Sequence, residues 1–350
     1  MTDASSAAAT APGARHAQPD PSAARLVTVI SRIRELGIVA ALGALVAYTA
    51  LRESRFIEAD SLRDLGLNAA LFATLAVGQT MVIVTRNIDL SVGSMVALSA
   101  YLTGRLLMEH PGIPLPLLVV LAIAFGAALG VVNGLVVTFG RVPSLVATLG
   151  TLYVFRGAMY LWTDGDTVNA AEMPRSFTDL GTQQLLGVPV LVIVALVVVV
   201  LAGVALREFG AGRELYAIGS NPAAARLAGI RIDRRVFQAY VINGAIVGLV
   251  GVMFAARFAS ITSTSAQGDE LTVVAAAVVG GVAIFGGSGS VYGAALGALL
   301  LSTITSALIV LKIDQFWQGA FVGGLLLAAI SLDRLIAVRA ERALRKRSAH

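Results

Sequence analysis

The stretch LGVPVLVIVALVVVVLAGVAL, residues 186–206, contains 21 residues and no charge. About 20 mostly apolar residues are needed to cross a bilayer core about 30 Å thick, so this run reads as a membrane span. Charge returns at once: a loop from Arg207 to Arg235 follows, with six arginines. Nine more apolar runs lie around it, at 35–51, 68–85, 90–108, 115–138, 143–162, 236–257, 271–287, 292–311 and 316–332. The fold class that follows is an all-α integral membrane protein with about ten transmembrane helices. The run at 271–287 is short and glycine-rich, and it reads as a broken or re-entrant segment. Irregular backbone at that depth survives only where protein or a wet cavity satisfies it.

Composition agrees. Hydrophobic residues make up 57% and charged residues 13%, against about 45–50% and about 25% in soluble domains. The chain has no cysteine, which excludes disulfides and thiolate metal sites. Its histidines are His16, His110 and His350, two near the ends and one in a loop, so no metal or catalytic cluster suggests itself. The net charge of +5 reflects topology, because basic residues gather on the cytoplasmic side. It does not indicate nucleic acid.

Residues 1–34 read as a disordered cytoplasmic tail, rich in Ala, Ser, Thr and Pro and without the charged start and apolar core of a signal peptide. Residues 35–335 read as the transmembrane domain, with the cytoplasmic loop 207–235 inside it, and 336–350 as a basic cytoplasmic tail. With both termini inside, the inner segments hold 18 of the 26 basic residues and the outer loops seven, with Arg156 inside a span. Acidic residues run the other way, 12 outside against nine inside. The expected location is the cytoplasmic membrane, multi-pass, with both termini cytoplasmic. Asn87–Ser94 and Gly286–Gly293 each precede a span rich in small residues, which suggests an internal repeat relating spans 2–5 to spans 7–10. An offset of five spans makes such a repeat inverted, a common transporter architecture.

The basic loop contains its own helix. Asn221 suits the N-cap, Pro222 the first helical position, Ala223 to Ala228 propagate, and Gly229 supplies the left-handed residue that stops it. Two turns are marginal alone in water, so the helix either docks a partner or packs on its own bundle. A second polar group, Gln79, Asn87, Asp89, Ser91 and Ser94, sits where two spans meet, and Asn133 and Asn243 lie within spans. These seven are candidates for a translocation pathway, since polar groups at membrane depth are costly. Equally, Asp89 would cap the third span and pair with Arg86. Arg156 would snorkel outward or pair with the acidic loop 163–185. Glycines at four-residue spacing (126, 130, 134; 244, 248; 293, 297; 319, 323) allow close helix packing.

No phosphate-binding loop of the G-x-x-x-x-G-K-[ST] type occurs, and Gly286–Gly293 has the wrong spacing for a dinucleotide loop. Apart from Asp89 near a turn, the predicted spans hold no carboxylate or histidine that would carry protons or sodium. Energy for uphill movement therefore has to come from another polypeptide. Hydroxyls and amides suit a neutral, hydrogen-bonding solute.

Over residues 60 to 335 the chain resembles the permease subunit of bacterial ABC importers for ribose, xylose, rhamnose and related sugars, within the branched-chain permease superfamily. Asn87-Ile88-Asp89-Leu90-Ser91-Val92-Gly93-Ser94, Gly212 to Ile230 and Gly280-Gly281 through Ser290 carry the resemblance. It departs where many members have two glycines and this chain has Arg86-Asn87, which looks like the rhamnose-type subgroup. The resemblance implies a second permease subunit, an ABC ATPase beneath and an extracytoplasmic sugar-binding protein above, with membrane lipid around. It implies no cofactor in this chain, ATP being used by the partner subunit, and no catalytic residue. Asn221 to Gly229 would be the coupling helix, with Ala224 on it and Arg213 and Arg226 flanking or facing the ATPase. The alternatives are a permease for a nucleoside, a branched-chain amino acid or a furanosyl signal molecule, and a self-sufficient secondary carrier or channel.

Overall fold

The computed structural model describes residues 21–314 and 316–347, with side chains from 36 to 331. Helices dominate: α1 (Pro21–Arg52), α2 (Ala59–Ile83), α3 (Val92–Glu109), α4 (Leu115–Thr138), α5 (Ser144–Thr163), α6 (Arg175–Thr178), α7 (Val190–Glu208), α8 (Gly210–Ser220), α9 (Pro222–Leu227), α10 (Ile232–Phe258), α11 (Asp269–Val279), α12 (Val291–Val310) and α13 (Phe316–Arg347). Two small antiparallel ladders add to them. Strand β1 (Val168–Asn169) pairs with β4 (Ser260–Ile261), and β2 (Gln184–Leu185) with β3 (Val188–Pro189).

Among the described residues, six helices (α2, α4, α5, α7, α10 and α12) are long and apolar enough to cross a membrane. Shorter apolar stretches lie at Leu36–Arg52 and Phe316–Ser331. Helix α1 starts at Pro21, inside the stretch read as a disordered tail; residues 1–20 lie outside the described ones. The span read as 186–206 begins later, at Val190, because residues 184–189 fold back as the β2–β3 hairpin. Its turn uses left-handed backbone at Leu186 and Gly187.

The broken eighth run is α11, whose 11 residues extend only about 16 Å, half a bilayer core. Packing explains why it is tolerated. Helix α2 packs on α10, α11 and α12, while α10 packs on α2, α3 and α4. Helix α3 packs on α4 and α5, as α11 does on α12 and α13. Exchanging α2 with α10, α3 with α11, α4 with α12 and α5 with α13 therefore reproduces the neighbour pattern. Five crossings separate the halves, so the repeat is inverted. The two motifs that suggested it are, however, not its equivalents. The segment before α3 (84–91) corresponds to the one before α11 (259–268), and Gly286–Gly293 instead lies beside residues 84–86, with the Gly287 N–H donating to the Val84 carbonyl at 2.9 Å.

Both equivalent segments are non-helical returns into the bundle. Asp89 bonds Asn243, which lies about 16 Å along α10 from its start at Ile232. On the other side, Ile261 and Val168 press on Gly104 toward the C-terminal end of α3, whereas Glu270 and the Ala266 carbonyl press on Gly93 at its first turn. From Gly104 to Gly93 is again about 16 Å of helix. The starts of α3 and α11 thus meet inside the bundle.

Glycines set the tightest contact. A Cβ on Gly126, Gly244 or Gly248 would overlap a backbone carbonyl of the facing helix, so α4 and α10 touch main chain to main chain and run antiparallel. Gly293 and Gly297 pack likewise on Gly280 and Ala276. The fourth row, Gly319 and Gly323, meets nothing within 4 Å among the described residues.

Candidate functional site

The return at 84–91 is held by a buried polar network centred on Asp89. Its carboxylate accepts from the Ser91 N–H at 2.9 Å, the Ser91 hydroxyl at 2.7 Å and the Asn243 amide at 2.9 Å. Asn133 donates to Ser91 Oγ at 2.7 Å and, more loosely, to both carboxylate oxygens. Thr151 in turn donates to Asn133 Oδ1 at 2.6 Å. Gln79, with its amide turned to satisfy both partners, accepts from the Asp89 N–H at 3.1 Å and donates to the Asp89 carbonyl at 3.3 Å. Asp89, Gln79, Ser91, Asn133 and Asn243 are fully buried. Elements α2, α3, α4, α5 and α10 thus converge on one unpaired strand of backbone, which supplies the satisfaction that membrane depth demands.

Of the seven candidate pathway residues, these five form the network. Ser94 hangs on the Ser91 carbonyl, and Asn87 bonds the Thr85 carbonyl and hydroxyl. Sequence reasoning missed Ser144, Thr148, Thr151 and Tyr240. Ser144 and Thr148 accept the Ile88 and Leu90 N–H groups, and Tyr240 donates to the Ile88 carbonyl.

Arg86 does not pair with Asp89. Its backbone is left-handed (φ 69), and its guanidinium runs to the end of α8, donating to the Gly219 carbonyl at 2.6 Å and the Ser220 carbonyl at 2.9 Å. These are terminal helix carbonyls, which a cation satisfies well. Gly219 is wedged there: a Cβ would overlap the Val84 carbonyl and the Gly287 nitrogen. Arg86→Ala is expected to loosen α8 by roughly 2 kcal/mol, two charge-assisted bonds partly replaced by water. Faster amide hydrogen exchange across 217–221, with 133–138 unchanged, would show it.

Helix α9 forms as the spacing predicts. Asn221 Oδ1 accepts the Ala224 N–H at 3.1 Å, and Gly229 (φ 82) ends the helix, with the Ile230 N–H reaching the Ala225 carbonyl at 3.0 Å. Only Ala225 is buried; Ala223, Ala224, Arg226, Leu227 and Ala228 are exposed, Leu227 at 92%. The helix does not spend its apolar face on its own bundle. It is carried by α8, which Arg235 fixes through an ion pair to Glu214 and Tyr216 fixes through the Gly289 carbonyl. The Arg235 hydrogen bond holds the Glu214 carboxyl below the usual carboxylate range. Arg213 donates to the Glu208 carbonyl and, with Arg207, Tyr216 and Tyr292, lines a cleft of about 350 Å³ beside α8.

Arg156 neither snorkels nor pairs with the loop 163–185. It is 7% exposed and donates to the Ser263 and Ser265 carbonyls, both at 2.9 Å. Among the described residues no cluster of three or more His, Cys, Asp or Glu is placed to hold a metal.

Residues 62–330 match the family model described as branched-chain amino acid transport system / permease component. The autoinducer 2 import system permease protein LsrC of Enterobacter sp. (strain 638) is 36% identical over 313 residues, 89% of each chain. Its counterpart in Escherichia coli (strain K12 / DH10B) is 34% identical over 321 residues, 92% of this chain and 93% of the relative. That of Salmonella typhi is 33% identical over 321 residues, 92% and 91%. No solved structure matches the chain.

Proposed function

Since the chain belongs to the branched-chain amino acid transport system / permease component family, we propose that it is the membrane permease subunit of an ABC importer for a small, neutral, hydroxyl-rich solute. The observation that carries this reading is α9: a short capped helix with an exposed apolar face, mounted on a braced arm. Such a surface suits the groove of a separate ATPase subunit. On this reading the α9 side is cytoplasmic, as the excess of arginines there supports. A second permease subunit and an extracytoplasmic binding protein complete the machine. The relatives named for autoinducer 2 import make a furanosyl signal molecule the first solute to test, ahead of rhamnose or a pentose.

Two substitutions separate docking from folding. Ala224→Asp places a charge on the exposed face in the first turn of α9, where an acidic residue favours the helix. In Gly229→Val the new Cβ meets no neighbour within 4 Å among the described residues, but the residue must take left-handed backbone, at a cost of roughly 1–2 kcal/mol. Both variants are expected to insert normally, while uptake of autoinducer 2 by cells expressing the whole importer falls at least tenfold and ATP hydrolysis by the complex is no longer stimulated by the binding protein. Wild-type uptake in both would remove the docking role. Concentrative uptake by the purified chain in liposomes, with an ion gradient and no ATPase, would favour a secondary carrier.

A further inference from the structure

The return at 262–268 poses a question that its counterpart at 84–91 does not. Both are irregular backbone inside the bundle, yet the polar centre of 84–91, Asp89 and Ser91, is fully buried, whereas Thr264, Gln267 and Gly268 are exposed and Thr262, Ser263 and Ser265 only partly covered. The segment is well built. β4 anchors its start on β1. The Ser265 N–H bonds the Thr262 carbonyl, the Gln267 N–H the Thr264 carbonyl, and Ser265 Oγ accepts the Thr262 N–H. The buried Arg156 guanidinium holds it from α5. Its far end abuts Gly93, about 16 Å of helix below Gly104.

The exposed Gln267 amide and the Thr264 hydroxyl, which shares one bond with the Thr262 hydroxyl at 3.1 Å, cannot face lipid at that depth, because hydrocarbon offers their remaining donors and acceptors no partner. They face water or another polar surface. Helix α7 is the contrast: Leu196, Val197, Val200 and Leu201 are exposed and apolar throughout, the signature of a lipid contact. We propose that Thr262–Gln267, presented by Arg156, lines the solute route and binds a neutral polyhydroxylated solute through the Thr264 hydroxyl and the Gln267 amide. Hydroxyl and amide groups both donate and accept, so they replace the solute's water without needing its charge. Arg156 is a positioning residue: its guanidinium is spent on two carbonyls and fixes which way the segment faces. The solute assignment rests on the importer reading; the water-facing surface does not.

The chain's lack of cysteine makes the test clean. Thr264→Cys, Gln267→Cys and Val197→Cys are made singly in the full chain, assembled with its importer partners in membranes, and treated with a charged, membrane-impermeant thiol reagent. Cys at 264 and 267 is expected to react at least tenfold faster than at 197, and autoinducer 2 supplied with the binding protein and Mg-ATP should slow labelling at 267 at least threefold. Equal, slow labelling at all three positions would overturn the proposal, as would self-cross-linking at 264 without reagent access, which marks a subunit contact. Fast labelling without protection by autoinducer 2, ribose or rhamnose would keep the water-facing surface and overturn the solute assignment. Gln267→Ala, expected to lower uptake at least fivefold with an unchanged melting midpoint, guards against a folding artefact; Arg156→Lys, which keeps a cationic donor group on one nitrogen, should recover part of the labelling contrast that Arg156→Ala loses.

Discussion

Asp89→Leu is expected to produce a chain that inserts but does not keep its native bundle. The substitution removes the acceptor for the Ser91 N–H, the Ser91 hydroxyl and the Asn243 amide, and loosens the hold on Asn133. None of these donors has water within reach, since all are fully buried. Each buried donor left without a partner costs about 1–3 kcal/mol. Three of them approach the whole net stability of a typical domain, about 5–15 kcal/mol. Asp89→Asn should be milder. Its oxygen still serves Ser91, but its NH₂ then faces the Asn243 NH₂, so about one bond is lost. Heating a detergent-extracted fluorescent fusion and measuring the monodisperse fraction should rank wild type above Asp89→Asn and Asp89→Asn well above Asp89→Leu. A wild-type midpoint for Asp89→Leu would show that the network does not hold the bundle. Normal midpoints with lost uptake in Asp89→Asn would instead return Asp89 to the solute pathway.

Much of this network was legible in the sequence because a polar residue inside an apolar run stands out. Asn133, Asn243 and Asp89 were marked on that ground alone. Thr148 and Thr151 were not, since a threonine in a helix usually satisfies itself on the carbonyl four residues back, as Thr148 also does. The partners of Arg86 and Arg156 were hidden for a different reason. Both arginines bond main-chain carbonyls more than 100 residues away, and every residue type carries the same carbonyl. The Arg86–Asp89 pairing inferred from nearness in sequence failed because a left-handed residue at 86 turns the side chain toward α8. The return at 262–268 lies between the apolar runs 236–257 and 271–287, and its polar composition does not distinguish a return into the bundle from a surface loop. Its depth comes from the inverted repeat, and the helices that define the repeat share packing rather than sequence.

The glycine rows show the same limit, and they yield the other large effect. Gly244/Gly248 and Gly319/Gly323 have the same spacing and were read alike, yet they should respond in opposite ways to leucine. In Gly248→Leu the new Cβ would overlap the Ala122 carbonyl and approach Ile123 Cα within 2.9 Å. These are backbone atoms of α4, so no rotamer relieves the clash and the helices must separate. Overpacking of a tight core costs about 1–3 kcal/mol, and here a second loss follows. Asn133 and Asn243 sit beside the glycines of the two helices, so pushing α10 off α4 also draws Asn243 away from Asp89. The combined cost should reach about 4 kcal/mol, enough to remove most monodisperse protein after mild heating. In Gly319→Leu the new Cβ meets nothing within 4 Å among the described residues, and a poor helix former gives way to a good one, worth up to about 1 kcal/mol. Its melting midpoint should hold or rise. Equal losses in the two variants would show that glycine spacing, and not the backbone contact between α4 and α10, governs stability. A loss of oligomer size in Gly319→Leu without a lower midpoint would mark the open row on α13 as the seat of another chain.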